Sequence, residues 1–402
     1  MRKSFPILTG ILVCALTAMA ASPQTSTAPY VIGAASSFSP TEVVTRIAEA
    51  RQILENNDAI SPDSVRLAAL DTATGQLTTI VLAKDEFLTK DEDIAATTDA
   101  GESVRLQIVR ANGVNTAVNI NAIATNEPLL PLVVQFPIVR DGRISEVAYY
   151  TSAHPALLSA PLTATGQSYI RTNLEEAAKS LAAQGESIPN DIVDVAEHLC
   201  VVEHTDHKRF MTENADELFP EIVSLYALNE GNTFRYSVST AGAGGMIQMI
   251  PKTYEAIRQS HPNVELNPDF VSGMRDHSNA LKAMLLYMND TWKVLANSSE
   301  VQEALSSGIA TKPELLAAGY NSNPARLPRY LKNGGTSWRG LIPAETQMYL
   351  AIYASVDKNL AFNNGEAATG DRSSNHPILS VETPRMFSVL SWFRASLTAL
   401  FG

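Results

Sequence analysis

The hydrophobic period changes once along this chain, and that change limits the fold more than any other feature. From Val65 to about Ala153, short runs alternate at period two and are broken by glycine-bearing turns. VRLAALDTATGQLTTIVL reads as strand, turn and strand about Thr74-Gly75. VRLQIVRANGVNTAVNI repeats the pattern about Asn112-Gly113, and PLVVQFPIVRDGRISEVAYY does so about Asp141-Gly142. Asn-Gly and Asp-Gly suit the positive φ angles of two-residue hairpin turns. After Thr165 the spacing becomes helical, in NLEEAAKSLAAQG, IPNDIVDVAEHLCVVEH, FPEIVSLYALNEG, NALKAMLLYMNDTWKVL and ETQMYLAIYASV. Strands followed by a run of helices predict an α+β multidomain chain, with a smaller β-rich N-terminal module ahead of a mainly α-helical domain.

The flanks divide the 402 residues further. Arg2 and Lys3, an apolar run from Ile7, and Ala18-Met19-Ala20 read as a signal peptide over 1–20, cleaved after Ala20. The chain is therefore expected to be exported, to the periplasm or cell envelope. A lipoprotein reading through Cys14 meets the bulky Val13. Residues 21–40 form a Ser/Thr/Ala/Pro-rich linker and 41–165 the β-rich module. A helix opens that module, capped by Ser39 with Pro40 and Glu42 behind it, and Val43, Val44, Ile47, Ala48 and Leu54 give it an apolar face. The helical domain spans 166–360, a second linker 361–376, and an amphipathic C-terminal segment 377–402 carries Phe387, Leu390, Phe393, Leu397 and Leu400 at helical spacing. A net charge of −12 leaves no basic surplus for phosphates and argues against nucleic acid.

The densest local signal is STAGAGGMIQMIP, Ser239 to Pro251. It is not a phosphate loop. Lys252 follows Pro251 rather than glycine, and Ile247 stands where a dinucleotide fingerprint needs its third glycine. Met246 and Met249 read as core. Glu230 ends the apolar helix upstream, with Gly231 placed as its C-cap glycine. Gln248 follows Glu230 by 18 positions, and no Asp or Glu lies between Gly231 and Tyr254. Downstream come AAGYNSNP, with Tyr320-Asn321, and IPAETQMYL.

Together these segments resemble the soluble-type lytic transglycosylases, whose catalytic domain is similar to goose-type lysozyme. The family's Glu-Ser, Ser-x-x-Gly-Ala, Gly-Leu-Met-Gln and Ala-Tyr-Asn stand here as Glu230-Gly231, Ser239 to Ala243, Gly245 to Gln248, and Gly319-Tyr320-Asn321. The resemblance covers about Ile192 to Val356 and departs at Gly231, Gly319 and Met246-Ile247. It implies a lysozyme-like domain that cleaves the β-1,4 bond of peptidoglycan glycan strands without water, leaving 1,6-anhydro-MurNAc ends, with no cofactor or metal. Glu230 would be the acid and then the base, expected to be kept neutral by burial and by the negative end of its helix. Ser239, Gly245, Gln248, Tyr320 and Asn321 would contact the glycan. A cell-envelope protein partner would use the N-terminal module or the C-terminal segment.

Two rivals remain. Glu203 also follows an apolar helix, but Gly245 lies 42 positions on, so it would need a long insertion before the loop. EHLCVVEHTDHKRF gathers His198, Cys200, Glu203, His204, Asp206 and His207, a near miss to His-x-x-Glu-His that suggests a metallopeptidase. His198 is out of phase and Cys200 stands where the first His is needed, so a helix ending in a polar, capped turn is the plainer reading, with Cys200 a buried structural thiol. A non-catalytic glycan-binding protein is the third reading.

Overall fold

The computed structural model describes residues 40–56 and 59–360. The expected signal peptide, the first linker and the C-terminal segment lie outside them. All the described residues belong to one compact unit. The α+β class holds, with an antiparallel sheet first and helices after it. Among the described residues no helix is long and apolar enough to cross a membrane.

The strands are β1 (Ser64–Asp71), β2 (Leu77–Ala83), β3 (Asp93–Thr97), β4 (Ser103–Arg110), β5 (Ala117–Ala122), β6 (Pro128–Arg140) and β7 (Arg143–Tyr150). They form one seven-stranded sheet in the order β2-β1-β6-β5-β4-β3, with β7 on β6. Its two ends meet. Ile80 bridges Thr98, Asp99 N–H donates to the Thr79 carbonyl (2.9 Å), and the Asp99 carboxylate accepts from the Thr78 hydroxyl (2.6 Å). The sheet thus curls toward a barrel, which covers edges that would otherwise be left unpaired.

Two of the expected turns differ in kind. Asp141 and Gly142 both have positive φ (51° and 72°), as a two-residue hairpin turn requires. Asn112 does not (φ −154°), and Gly113–Asn115 make a single 3-10 turn, so β4 and β5 are joined by a longer loop.

The helices are α1 (Pro40–Glu55), α2 (Lys84–Phe87), α3 (Ala160–Ala183), α4 (Asn190–Val202), α5 (His207–Thr212), α6 (Ala215–Asn229), α7 (Pro251–Ser260), α8 (Phe270–Arg275), α9 (His277–Ala296), α10 (Ser299–Ser306), α11 (Lys312–Asn321), α12 (Leu327–Gly334) and α13 (Ala344–Asn359). α1 covers the outer face of the sheet through Val43, Ile47, Ala50 and Leu54, against Ala68, Leu70, Leu130 and Leu132. That stripe corrects the expected face, because Val44 and Ala48 point to solvent.

The inner face of the sheet and the helices share one core. The boundary expected between Thr165 and Gly166 falls inside α3, which starts at Ala160 on a Ser159 cap. Gly166 meets the Val223 backbone of α6 so closely that a Cβ would collide. α4 is the central helix. Ile192, Val193, Val195, Ala196, Leu199, Cys200, Val201 and Val202 are all buried, and so are Glu197, paired with Arg171 (3.3 Å), and His198, so almost all of its surface is enclosed.

Polar contacts fix the sheet against the helices. The Asn229 amide accepts from Thr151 N–H and donates to the Thr151 carbonyl (both 2.8 Å). Glu221 on α6 takes Arg110 of β4 (3.0 Å) and a two-bond grip from Arg209 (2.8 and 2.7 Å). These half-buried, charge-assisted contacts are geometrically specific.

Candidate active site

α4 runs through the core and emerges at Glu203, its C-cap. Tyr349, buried on α13, donates its hydroxyl to Glu203 Oε1 at 2.6 Å. Burial pushes the Glu203 carboxyl up to about 8. The Tyr349 bond works against that rise and the Glu345 carboxylate adds to it. The negative end of α4 acts in the same direction as burial. The residue as a whole keeps partial exposure, while its carboxyl is desolvated.

The glycine-rich loop is attached next to this acid. His204 Nε2 lies 2.9 Å from the Met246 carbonyl, so that nitrogen carries the proton. Burial holds His204 neutral, at about 3, and its ring stacks on Phe234 with centroids 3.5 Å apart. Tyr320, reaching from α11, donates to the Ile247 carbonyl (2.8 Å). Glu203, Tyr349, Tyr320 and the Met246-Ile247 backbone therefore converge from α4, α13, α11 and the loop.

The loop's shape follows from its small residues. Ser239 N–H donates to the Ala243 carbonyl (2.9 Å), and Ala243 N–H donates to Ser239 Oγ (3.0 Å). Gly244 bridges both Val238 and Met249. Gly245 has φ +69°, and a Cβ there would run into the Met274 carbonyl. Met246 and Met249 are buried, as expected of core residues. Gln248 folds back, donating to the Gly245 carbonyl (2.8 Å), with φ +46°. Glu230, Phe234 and Gln248 are all non-glycine residues at positive φ, so the segment holds uncommon backbone geometry.

The other expected site residues are placed as follows. Ser239 closes its own loop rather than meeting Glu230. Asn321 ends α11, partly exposed, one residue beyond Tyr320. Glu230 is exposed, so the burial expected for it is absent. Glu230 itself, not Gly231, takes the positive φ (47°) at the end of α6. Its carboxylate has no hydrogen-bond partner among the described residues, while its charge is felt by Tyr169, whose hydroxyl is raised to about 12 mainly by burial.

The histidine- and cysteine-rich segment diverges in space. His198 Nδ1 donates to the Asp194 carbonyl (2.7 Å), and its Nε2 faces Asp357 (3.2 Å). Cys200 is buried, and burial pushes its thiol well up. Asp206 caps α5, accepting from Arg209 N–H (2.8 Å). Among the described residues no group of three or more His, Cys, Asp or Glu side chains is arranged to hold a metal ion.

Sequence reasoning assigned no role to Tyr349 and weighed His204 only as part of the candidate metal cluster. Tyr349 lies one helical turn beyond Glu345 in ETQMYL, and that spacing was its only signal. No protein-family model, curated protein or solved structure matches this chain.

Proposed function

We propose that the protein cleaves glycosidic bonds with a single carboxylic acid, and that the acid is Glu203. The observation that carries this reading is the Glu203 site itself: a carboxyl raised to about 8 at a helix end, bonded by Tyr349 and beside a loop of tight glycine turns. A glycosidic oxygen leaves poorly until protonated, so an acid still protonated at neutral pH is the group the reaction needs. Tyr349 occupies Oε1 and leaves Oε2 to carry the proton.

More narrowly, the chain is proposed to be a lytic transglycosylase of peptidoglycan with a lysozyme-like helical domain. The resemblance in the glycine loop and at Tyr320-Asn321 supports this, since the Met246-Ile247 backbone and Tyr320 lie beside Glu203, whereas the Glu230-Gly231 match does not carry over to this acid. In that reaction Glu203 gives its proton to the departing sugar oxygen. The substrate's N-acetyl group stabilises the positive charge that develops at C1. The carboxylate then takes the proton of the 6-hydroxyl as O6 bonds to C1. One C–O bond breaks, one forms, the proton returns to Glu203, and no water is consumed. Gln248 and Asn321, both partly exposed, would meet the strand, while Gly245 is buried and holds the loop's shape.

Digestion of purified sacculi followed by product masses tests the reading. Anhydro ends, lighter by one water than hydrolysed ends, are the expected product. Hydrolysed ends or no release would overturn it.

A further inference from the structure

The β-rich region is connected by hydrogen bonds to the loop beside Glu203. Glu146 on β7 accepts from the Tyr236 hydroxyl (2.8 Å), Arg235 Nη2 (3.3 Å) and Arg275 Nη1 (2.8 Å). The next residue, Ser237, accepts from Gly245 N–H through its carbonyl (3.0 Å). Met246 follows and holds His204, the neighbour of Glu203. The β6–β7 hairpin is thereby fixed at the edge of the candidate active site.

Beyond Glu146 the hairpin tip projects into solvent. Val139 pairs with Ile144 across the strands, and the two are 37% and 36% exposed. Arg140 pairs with Arg143, both are exposed, and neither has an ion-pair partner among the described residues. The tip leans toward α8. Asp269 caps that helix, and its carboxyl is held below its ordinary value first by hydrogen bonds from Ser272, then by the charges of Arg140 and Arg275. α8 in turn packs Phe270 and Met274 on Gly244. On a chain of net charge −12, two exposed guanidinium groups at this edge, one of them within the field of the Asp269 carboxylate, make an anion-directed surface.

We propose that the hairpin tip is a substrate subsite beside the Glu203 site, in which Arg140 and Arg143 grip carboxylates of the peptide stems carried by the glycan strand while Val139 and Ile144 pack on the stem's apolar parts. The inference rests on the peptidoglycan reading and assigns the sheet a part in substrate selection. Planar guanidinium groups suit carboxylates, and at a rim they set affinity and salt dependence more than chemistry.

The test uses the full chain in co-sedimentation on ice, with intact sacculi and with sacculi stripped of stems by an amidase. The double variant R140A/R143A should bind intact sacculi about tenfold more weakly, the scale of two exposed charge contacts. On stripped strands parent and variant should converge on the same lowered affinity. R105A on β4, whose guanidinium faces Asp93 at 3.7 Å, should bind as the parent does. Undiminished binding of the double variant to intact sacculi overturns the proposal, as does an equal loss on stripped strands. Release of anhydromuropeptides is scored separately. Arginine-dependent binding without release would sink the transglycosylase reading alone, and release with arginine-independent binding would sink the subsite alone.

Discussion

Glu203 and Glu230 each cap the C-terminal end of an apolar helix, and the two ends differ in what surrounds them. α6 ends at Glu230, which is exposed and sits at φ 47°. α4 ends at Glu203, whose carboxyl is bonded by Tyr349 and raised to about 8 by burial. A glutamate at a helix C-cap is exposed in one place and desolvated in the other. A helix end contributes only a modest bias to a carboxyl. The larger shift comes from removal of water, and only elements distant in sequence can remove it. α13 and α11 do so at Glu203, along with the loop held by His204.

The largest effect that would break this comparison is on turnover. Glu203→Gln keeps shape but not the transferable proton, and should lose at least ~10²-fold in release of anhydromuropeptides, as general acid catalysis is worth. Glu230→Gln should stay within a few-fold. The reverse result would return the acid to α6. Next comes the loop. Gly245→Ala places a methyl against the Met274 carbonyl at positive φ, and should cost about 1–3 kcal/mol of stability in denaturant titration. A wild-type midpoint would mean the loop is not held against α8.

A pH profile sharpens the comparison further. Because the carboxyl titrates at about 8, activity should fall as pH rises through that value. Stability carries the same sign. The folded state holds this proton where the unfolded chain has released it, so the Glu203 contribution is intact below the ordinary glutamate range. It is lost progressively as pH rises from there through about 8. Glu203→Gln should flatten that slope in melts across pH, while Glu230→Gln should leave it in place. Tyr349→Phe removes the bond that holds the acid down, so the alkaline limb should move upward while turnover drops by roughly tenfold at most. A limb moving downward would contradict the assigned role of Tyr349. The smallest effect is expected at Cys200, where Cys200→Ala should leave activity within a few-fold and cost stability only through lost packing.

Period and turn chemistry were enough to order the strands before the helices, because a strand's alternation and a helix's three-to-four spacing are local properties. They placed the Asp141-Gly142 turn, whose dihedrals an L-residue tolerates best when it is Asp followed by Gly. They also marked the glycine cluster and the buried methionines, while Tyr320 was singled out only by the family resemblance. Which side of α1 faces the sheet was not legible: Val44 and Val43 look alike in composition, and the sheet's position selects Val43.

By itself the sequence determined the element types, the acidic balance and a short list of residues able to do acid chemistry. Tertiary structure decided that Glu203 is desolvated and Glu230 exposed, since desolvation is set by neighbours and not by chain spacing. The 18-residue interval to Gln248 favoured Glu230, yet the loop it leads into is hydrogen-bonded to the end of α4 through His204 and Met246. Folding also joined the β-rich region to the helices in one core, because its inner face is apolar and stays out of water only when the helices cover it.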